Sequence, residues 1–337
     1  MHSTLRTGAL RRFVASLTAA AVLAGCTATQ SGRIGSDDGL DSCRPQLVAL
    51  DSTGNYYGED MLRGAAIGAA SGGVLGGLIG AAAGGKTRDV VLGAGLGVVA
   101  GGVVGAAGGY YAARQRQARD QASLSAAIGN DLTSENAQLD RTQAAFNQLV
   151  DCRLMAAASI RQDVGAGRVD PTTGQRMMGE LRRRMQNDIT VAKRIDGKIG
   201  TRGAEFDTAI ENIAPGTRTT VAARTASPPM PATTRAAVPL RIRPEPSAPE
   251  VGRVAANEPV TVRPATSSYA LVETTAGLRG YAPAGSFPGR RAPAAPANGD
   301  GSFRALAASN IAKRDNFSES VTNAERATQG QGFELAS

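Results

Sequence analysis

Few side chains in this 337-residue sequence could perform catalysis. Its one histidine, His2, lies in a segment that we interpret below as a cleaved export signal. A mature chain without histidine cannot use Ser-His or Cys-His catalysis and cannot form a His-ligated metal site. Carboxylate pairs such as Asp37-Asp38 and Glu59-Asp60 stand in polar stretches that are typical of solvated charge. We therefore expect no enzymatic activity, no cofactor and no metal site.

Residues 80–87 match the phosphate-binding pattern G-x-x-x-x-G-K-T letter for letter. That motif binds a nucleotide when a strand leads into the loop and a helix follows it, because backbone amides then surround the phosphates. Here the preceding residues repeat glycine at helical spacing and lack the β-branched run of a strand. The pattern therefore does not predict nucleotide binding.

The first cysteine, Cys26, follows an export signal. Three arginines precede an apolar run over 13–24 that is too short to span a bilayer, which is typical of a signal peptide over 1–25. The run ends in Leu23-Ala24-Gly25-Cys26, which resembles the bacterial lipobox. The resemblance implies that Cys26 is acylated and becomes the mature N-terminus; an ordinary signal peptide with a chance cysteine is the alternative. Thr27 then implies the outer membrane, with the inner membrane as the alternative.

Two uncharged segments, 64–85 and 90–111, carry glycine at every fourth position. This period is helical, although glycine lowers helix propensity by about 1 kcal/mol relative to alanine. In lipid, small residues let helices pack closely, and each segment is long enough to span a bilayer. We predict a glycine-zipper helical hairpin over 61–111, packed through Gly64, Gly68, Gly72, Gly76, Gly80, Gly84, Gly93, Gly97, Gly101, Gly105 and Gly109.

Together, the lipobox and the two glycine series resemble the glycine-zipper two-transmembrane lipoproteins of the rickettsial surface-antigen type. The resemblance covers roughly residues 20–111. It implies a structural role in the bacterial cell envelope and no enzymatic activity.

The region 112–213 predicts a helical, coiled-coil-like stalk. Heptad-spaced apolar residues favour two long helices, 112–164 and 171–213, packed antiparallel. Gly165-Ala166-Gly167 ends the first helix, and Asp170-Pro171 starts the second with an N-cap and a proline at the first helical position. The basic runs are interpreted as solvated faces, and contact with anionic lipid head groups is the alternative.

Short β-branched runs after a Pro/Thr-rich linker (214–237) predict a small all-β barrel over 238–288. The five candidate strands are Pro239–Arg243, Glu250–Ala255, Pro259–Arg263, Ser268–Thr274 and Leu278–Ala282. The runs Leu240–Pro246, Val251–Val254 and Gly280–Ala282 resemble the bacterial SH3-like domain. That resemblance implies that Arg243 shapes the barrel and that Tyr281 lines its face, and we add Tyr269 to this candidate ligand face. The tail, 289–337, is predicted to be flexible with a short helix.

Cys43 and Cys152 are the thiols that remain after lipidation, and the periplasm favours their oxidation, so we predict one disulfide between them. A single straight helix through the stalk would place Cys152 about 65 Å from the membrane. The residues between Cys26 and Cys43 reach at most about 60 Å. We therefore expect the first stalk helix to break at Gly129-Asn130 and to fold back.

The predicted fold is mostly α, with a membrane hairpin, a stalk and a small SH3-like barrel; residues 26–60 form the mature N-terminal segment. We expect a non-enzymatic envelope lipoprotein that faces the periplasm and meets membrane lipid, with peptidoglycan or a periplasmic protein as partner. The alternative is an oligomeric channel or secretion-system ring assembled through the zippers. The net charge of +8 is too small and too dispersed to predict nucleic-acid binding.

Overall fold

The computed structural model describes residues 30–57, 109–225, 228–266, 268–287 and 302–335. They belong to two compact units, Met1–Ser42 and Cys43–Ser337. In the first unit the structure describes one short helix, α1 (Gln30–Ile34). The described helices of the second unit are α2 (44–57), α3 (109–117), α4 (Gln121–Gly165), α5 (Pro171–Ile213), α6 (Thr217–Thr225) and α7 (Phe303–Gln329).

Helices α4 and α5 form a long antiparallel pair, as the heptad pattern predicts. Helix α5 begins at the predicted signal, because the Asp170 carboxylate accepts a hydrogen bond from the backbone N–H of Thr173. Residues late in α4 contact residues early in α5, and residues early in α4 contact residues late in α5. Arg153 contacts Asp188 and the earlier Glu135 contacts the later Arg202. The heptad stripes supply buried side chains, including those of Leu132, Leu139, Phe146, Met185, Ala192, Ile199 and Phe206.

A third long helix, α7, lies where the sequence predicts a flexible tail with a short helix; a helix is present, but its predicted short length and the flexibility of 303–329 are wrong. Helix α7 has 27 residues and packs on both α4 and α5. Its Phe317 ring lies 5.7 Å from that of Phe146, and the side-chain amide of Asn310 donates to that of Asn136. The helix buries polar residues such as Asn310, Asn323 and Thr328 beside small alanines. Its buried face therefore lacks a continuous apolar stripe.

Helices α2 and α7 contact different sides of α4. Thr142 of α4 contacts Tyr57 of α2, whereas the next residue, Gln143, contacts Ser320 of α7. Successive positions on a helix point about 100° apart, so the two contacts lie on different sides of α4.

Helices α2 and α3 follow one another along the same groove of the α4–α5 pair. Gly54 faces Ile195, Tyr56 stacks on Arg202, and the Tyr110 ring packs on Phe206. The contacts therefore advance along α5 in the order of the chain. We call α2 and α3 together the α2–α3 pair; residues 58–108, between them, lie outside the described residues.

The interval 214–237 is predicted to be an extended linker, and the structure instead begins it with α6. The Glu211 carboxylate accepts hydrogen bonds from the backbone N–H groups of Gly216 and Arg218, where α6 starts. No proline follows until Pro228, so nothing stops this helix early.

One antiparallel sheet follows, made of β1 (Met230–Thr233), β2 (Val238–Arg241), β3 (Glu250–Val254), β4 (Pro259–Pro264), β5 (Tyr269–Thr274) and β6 (Arg279–Pro283). Its order is β1-β4-β5-β6-β2-β3. The first and last residues of the five predicted strands differ from those of β2–β6 by at most two positions. The sheet is open, with β1 and β3 at its edges, so the predicted five-stranded closed barrel is wrong in strand number and in closure. Strand β1 contains Pro231, a residue that argues against a strand but is tolerated at a sheet edge.

The predicted helix break at Gly129-Asn130 is also wrong, because α4 continues through both residues. The break lies at 118–120 instead. There the Asp120 and Ser123 side chains each accept a hydrogen bond from the other residue's backbone N–H and form a capping box that starts α4. An isolated glycine is a weaker signal than such a cap, and Gly129 is accommodated beside Phe303 of α7.

The export signal, Cys26 and nearly all of the glycine hairpin lie outside the described residues. Within the ranges that the structure describes, no helix combines the length and the apolar character needed to cross a membrane.

Candidate functional site

The described ends of the α2–α3 pair, Tyr57 and Gly109, and the residues around them define the candidate site, which we call the junction. Residues 58–108, between these two positions, lie outside the described part of the chain. Tyrosine pairs bracket the interval, Tyr56-Tyr57 before it and Tyr110-Tyr111 after it. Four of the six tyrosines in the chain therefore lie at this place.

On the departing side, both tyrosines bind the α4–α5 pair. The Tyr57 hydroxyl lies 3.2 Å from the Thr142 hydroxyl in a fully buried contact. Burial raises the pKa of Tyr57 well above its ordinary value, so the hydroxyl stays neutral. The Tyr56 hydroxyl donates to the Glu135 carboxylate at 3.3 Å.

Arg202 of α5 links the departing side to the returning side. Its Nε donates to Glu135 Oε2 at 2.7 Å, and both side chains are largely buried. The guanidinium carbon lies 5.5 Å from the centre of the Tyr56 ring and 5.3 Å from that of Phe206. These are distances at which a cation is attracted to an aromatic face.

On the returning side, Tyr110 packs on Phe206, the second aromatic ring that lies beside Arg202. Its ring centre lies 5.1 Å from that of Phe206, and its hydroxyl donates to Asp131 at 2.5 Å. Burial and the hydrogen bond to Asp131 raise the pKa of Tyr110 far above its ordinary value. Arg114 forms an ion pair with the same carboxylate at 2.5 Å. The returning chain is therefore fixed within its first two helical turns.

The two sides of the junction lie one helical turn apart on α5, because Arg202 and Phe206 are four residues apart and a turn rises about 5.4 Å. Tyr56 and Tyr110, which flank the residues outside the description, therefore contact neighbouring positions of α5. Of the predicted helix-packing glycines, only Gly109 is described. It is the first described residue of α3, and a Cβ placed there would meet no atom of the described residues within 4 Å.

The predicted disulfide is present and fixes the other end of α2. Cys43 and Cys152 are bonded with their Cα atoms 5.9 Å apart, 109 residues apart in sequence. Cys152 lies within α4, so the bridge ties the start of α2 to the long pair.

Two of the three candidate ligand-face residues of the sheet contact the helices instead of solvent. Arg243 donates through Nη1 and Nη2 to both carboxylate oxygens of Asp151, at 2.6 and 2.8 Å. The Tyr281 hydroxyl accepts from the Asn323 side chain of α7 at 3.3 Å, and burial raises its pKa to about 12. Tyr269 is half-buried.

Further ion pairs hold the sheet against α7. Glu319 accepts from Arg279 at 2.7 Å and also from Arg263. Arg326 lies 3.6 Å from Glu273. The sheet is therefore docked on the bundle through the face that carries Tyr281.

The carboxylate pair Asp37-Asp38 is exposed, and each accepts a hydrogen bond from a backbone N–H two residues later. Among the described residues, no group of three or more His, Cys, Asp or Glu side chains could hold a metal ion. Comparison of the chain with protein-family models, with curated proteins and with solved structures gave no match.

Sequence reasoning did not identify the junction. Its residues belong to four elements, and the ion pairs that join them span many positions, such as Glu135 with Arg202. One signal was present, namely the tyrosine pairs placed symmetrically around the glycine-rich interval.

Proposed function

We propose that the protein is a non-enzymatic lipoprotein of the bacterial cell envelope, held at the membrane by acylated Cys26 and by a hairpin of the glycine-rich segment. The helical bundle lies on the periplasmic side and carries the sheet, which meets peptidoglycan or a periplasmic protein. We assign the protein to the outer membrane, because Thr27 is the residue that follows the acylated cysteine.

The junction is the observation that carries this proposal. A hairpin that enters and leaves a membrane on one side needs its two ends close together. In support, the flanking residues Tyr56 and Tyr110 contact Arg202 and Phe206, which are one helical turn apart on α5. A flexible linker would need no such attachment. The glycine period supplies the second support, since small residues at every fourth position suit close packing of helices in lipid.

The role of the sheet follows from how it is docked. Arg243 and Tyr281 contact the bundle, so the docked sheet cannot offer their side chains to a ligand. Contact with a partner then uses the rest of the sheet, including half-buried Tyr269 and the exposed edge strand β1.

Membrane extraction without the lipid anchor tests the hairpin. The full chain with Cys26→Ser is exported behind an ordinary cleavable signal peptide, and its membranes are washed with alkaline carbonate. We expect the protein to stay in the membrane, because the hairpin still spans the hydrocarbon core.

Two further variants give the matched control. Gly76→Asp together with Gly97→Asp places charges in the apolar segments, each at about 3 kcal/mol, and should release the Cys26→Ser chain. Gly76→Ala together with Gly97→Ala should leave it bound. Release of the Cys26→Ser chain itself by carbonate would contradict the proposal.

A further inference from the structure

We infer that the C-terminal segment 330–335, which we call the strap, fastens the sheet to the helices and keeps the face that carries Tyr281 closed. Arg243 and Tyr281, two of the three candidate ligand-face residues, contact the helices in this closed state. The strap acts through contacts within the folded chain, with or without a membrane anchor. Its role therefore goes beyond the proposed function and does not depend on it.

Two arginines hold the strap against the long helices. Arg161 of α4 donates through Nη1 to the backbone carbonyl of Gly332 at 2.9 Å, and Arg182 of α5 donates through Nη2 to that of Phe333 at 2.8 Å. Hydrogen bonds from a charged donor are about twice as strong as those between neutral groups. Two successive residues of the strap are therefore bound to two different helices.

The same segment also lies against the sheet. A Cβ placed at Gly332 would lie 3.6 Å from the carbonyl oxygen of Val251 in β3 and 3.6 Å from the Leu154 side chain of α4. A Cβ placed at Gly330 would lie 3.4 Å from Leu278, the residue before β6. The backbone of the strap therefore lies between α4 and the β3 edge of the sheet.

Phe333 is the apolar anchor of the strap. Its side chain is fully buried, and the short turn Gln331–Phe333 contacts β3 as well as α4, α5 and α7. Aromatic side chains bury more area than most others and dominate the energetics of cores and interfaces. Phe333 therefore joins the sheet to three helices at one place.

The direct polar contacts between the sheet and the helices position the sheet. Arg243 binds both carboxylate oxygens of Asp151, a geometry that fixes orientation. The Asn323 side chain donates to the Tyr281 hydroxyl, but its own oxygen is buried and accepts no hydrogen bond from the described residues. A buried polar atom without a partner opposes docking. The strap adds a buried ring to these contacts and so favours the closed state.

Hydroxyl-radical footprinting of the full chain, read by mass spectrometry, tests the strap. The radical modifies side chains that water reaches, and Tyr281 is only 7% exposed in the closed state. Phe333→Ala removes the ring of the strap, and Glu334→Ala is the matched control because that side chain is exposed. Phe206→Ala is a second control. It removes an equally buried ring from α5 at about 36 Å along the helix from Arg182.

We expect Phe333→Ala to raise the modification rate of Tyr281 by at least about tenfold, because loss of a buried ring shifts an equilibrium by more than this factor. Phe146, which packs between α4 and α7, should stay protected. Arg161→Met with Arg182→Met removes both hydrogen bonds to the strap and keeps the apolar stems. This variant should raise the rate at Tyr281 by about fivefold, and it decides the test if Phe333→Ala does not fold.

The two controls, Glu334→Ala and Phe206→Ala, should leave Tyr281 protected. Unchanged protection of Tyr281 in the folded strap variants would overturn the inference. Equal modification of Tyr281 and Phe146 in those variants would also overturn it, because the sheet and the helices would then open as one unit. A rise at Tyr281 in either control as large as in Phe333→Ala would overturn it as well, because the strap would then have no specific role in docking.

Discussion

Removal of the Arg202 side chain tests whether the junction depends on one buried ion pair. Arg202→Ala takes away the guanidinium that pairs with Glu135, whose side chain is only 2% exposed. Loss of one partner of a buried pair costs about 3–5 kcal/mol, because the other charge stays buried. Tyr56 still donates to Glu135, so we expect a decrease of about 3 kcal/mol in the free energy of unfolding.

Chemical denaturation of the purified full chain, followed by circular dichroism, measures this change. Hydrogen exchange then locates it, and we expect faster exchange in α2 and α3 than in the centres of α4 and α5. The variant Arg202→Met with Glu135→Gln removes both charges. It should be more stable than the sum of the single changes predicts, by about 2 kcal/mol.

Lys193→Ala is the matched control, since Lys193 pairs with Glu325 across the same bundle at an exposed position. Exposed pairs contribute at most about 1 kcal/mol. If Arg202→Ala lowers stability no more than Lys193→Ala, or if hydrogen exchange rises equally in all helices, the reasoning about the junction is refuted.

Three further predictions concern the sheet, the bundle and the hairpin. A Cβ at Gly280 would lie 2.9 Å from the Leu240 Cβ and 3.0 Å from the Arg241 carbonyl oxygen, so Gly280→Ala should lower stability by about 1–3 kcal/mol in a thermal melt, whereas Gly285→Ala, in open space, should change it by less than about 0.5. Burial raises the pKa of Asp196, so the folded state holds that proton more tightly; stability therefore falls as the pH rises from the ordinary aspartate pKa to the raised one, and is level above it. Asp196→Asn should therefore raise the melting temperature at pH 7 and flatten this fall; an unchanged pH profile would contradict the assignment. Gly72→Leu should change oligomer size or hairpin compactness on mild gels while Val74→Leu does not, and identical behaviour would refute the zipper.

Local signals in the sequence located most elements of this fold. Asp170-Pro171 predicted the start of α5 because the cap and the proline act within one turn. Strands β2–β6 were predicted because β-branched runs alternate with turn residues. The pairing of Cys43 with Cys152 was predicted by elimination, since the predicted lipidation of Cys26 would leave these two thiols.

Long-range packing could not be predicted in the same way. The docking of the sheet depends on Arg243 and Asp151, which lie 92 residues apart, and no spacing rule relates them. Helix α7 packs through an Asn136–Asn310 pair and small alanines, so periodic hydrophobicity underestimates it. The disulfide was predicted but the shape of α4 was not, because the capping box at Asp120 was a stronger local signal than Gly129.

The attachments of α2 and α3 to the α4–α5 pair are consistent with the glycine spacing of the segment between them. Helix α2 is held near its start by the Cys43–Cys152 bridge and at the end of its described part by Tyr57, while Tyr110 holds α3. Tyr56 and Tyr110 contact α5 at positions four residues apart, or about 6 Å of helix rise. The hairpin that we propose requires its two ends to lie close together, and glycine at every fourth position would let its helices pack closely.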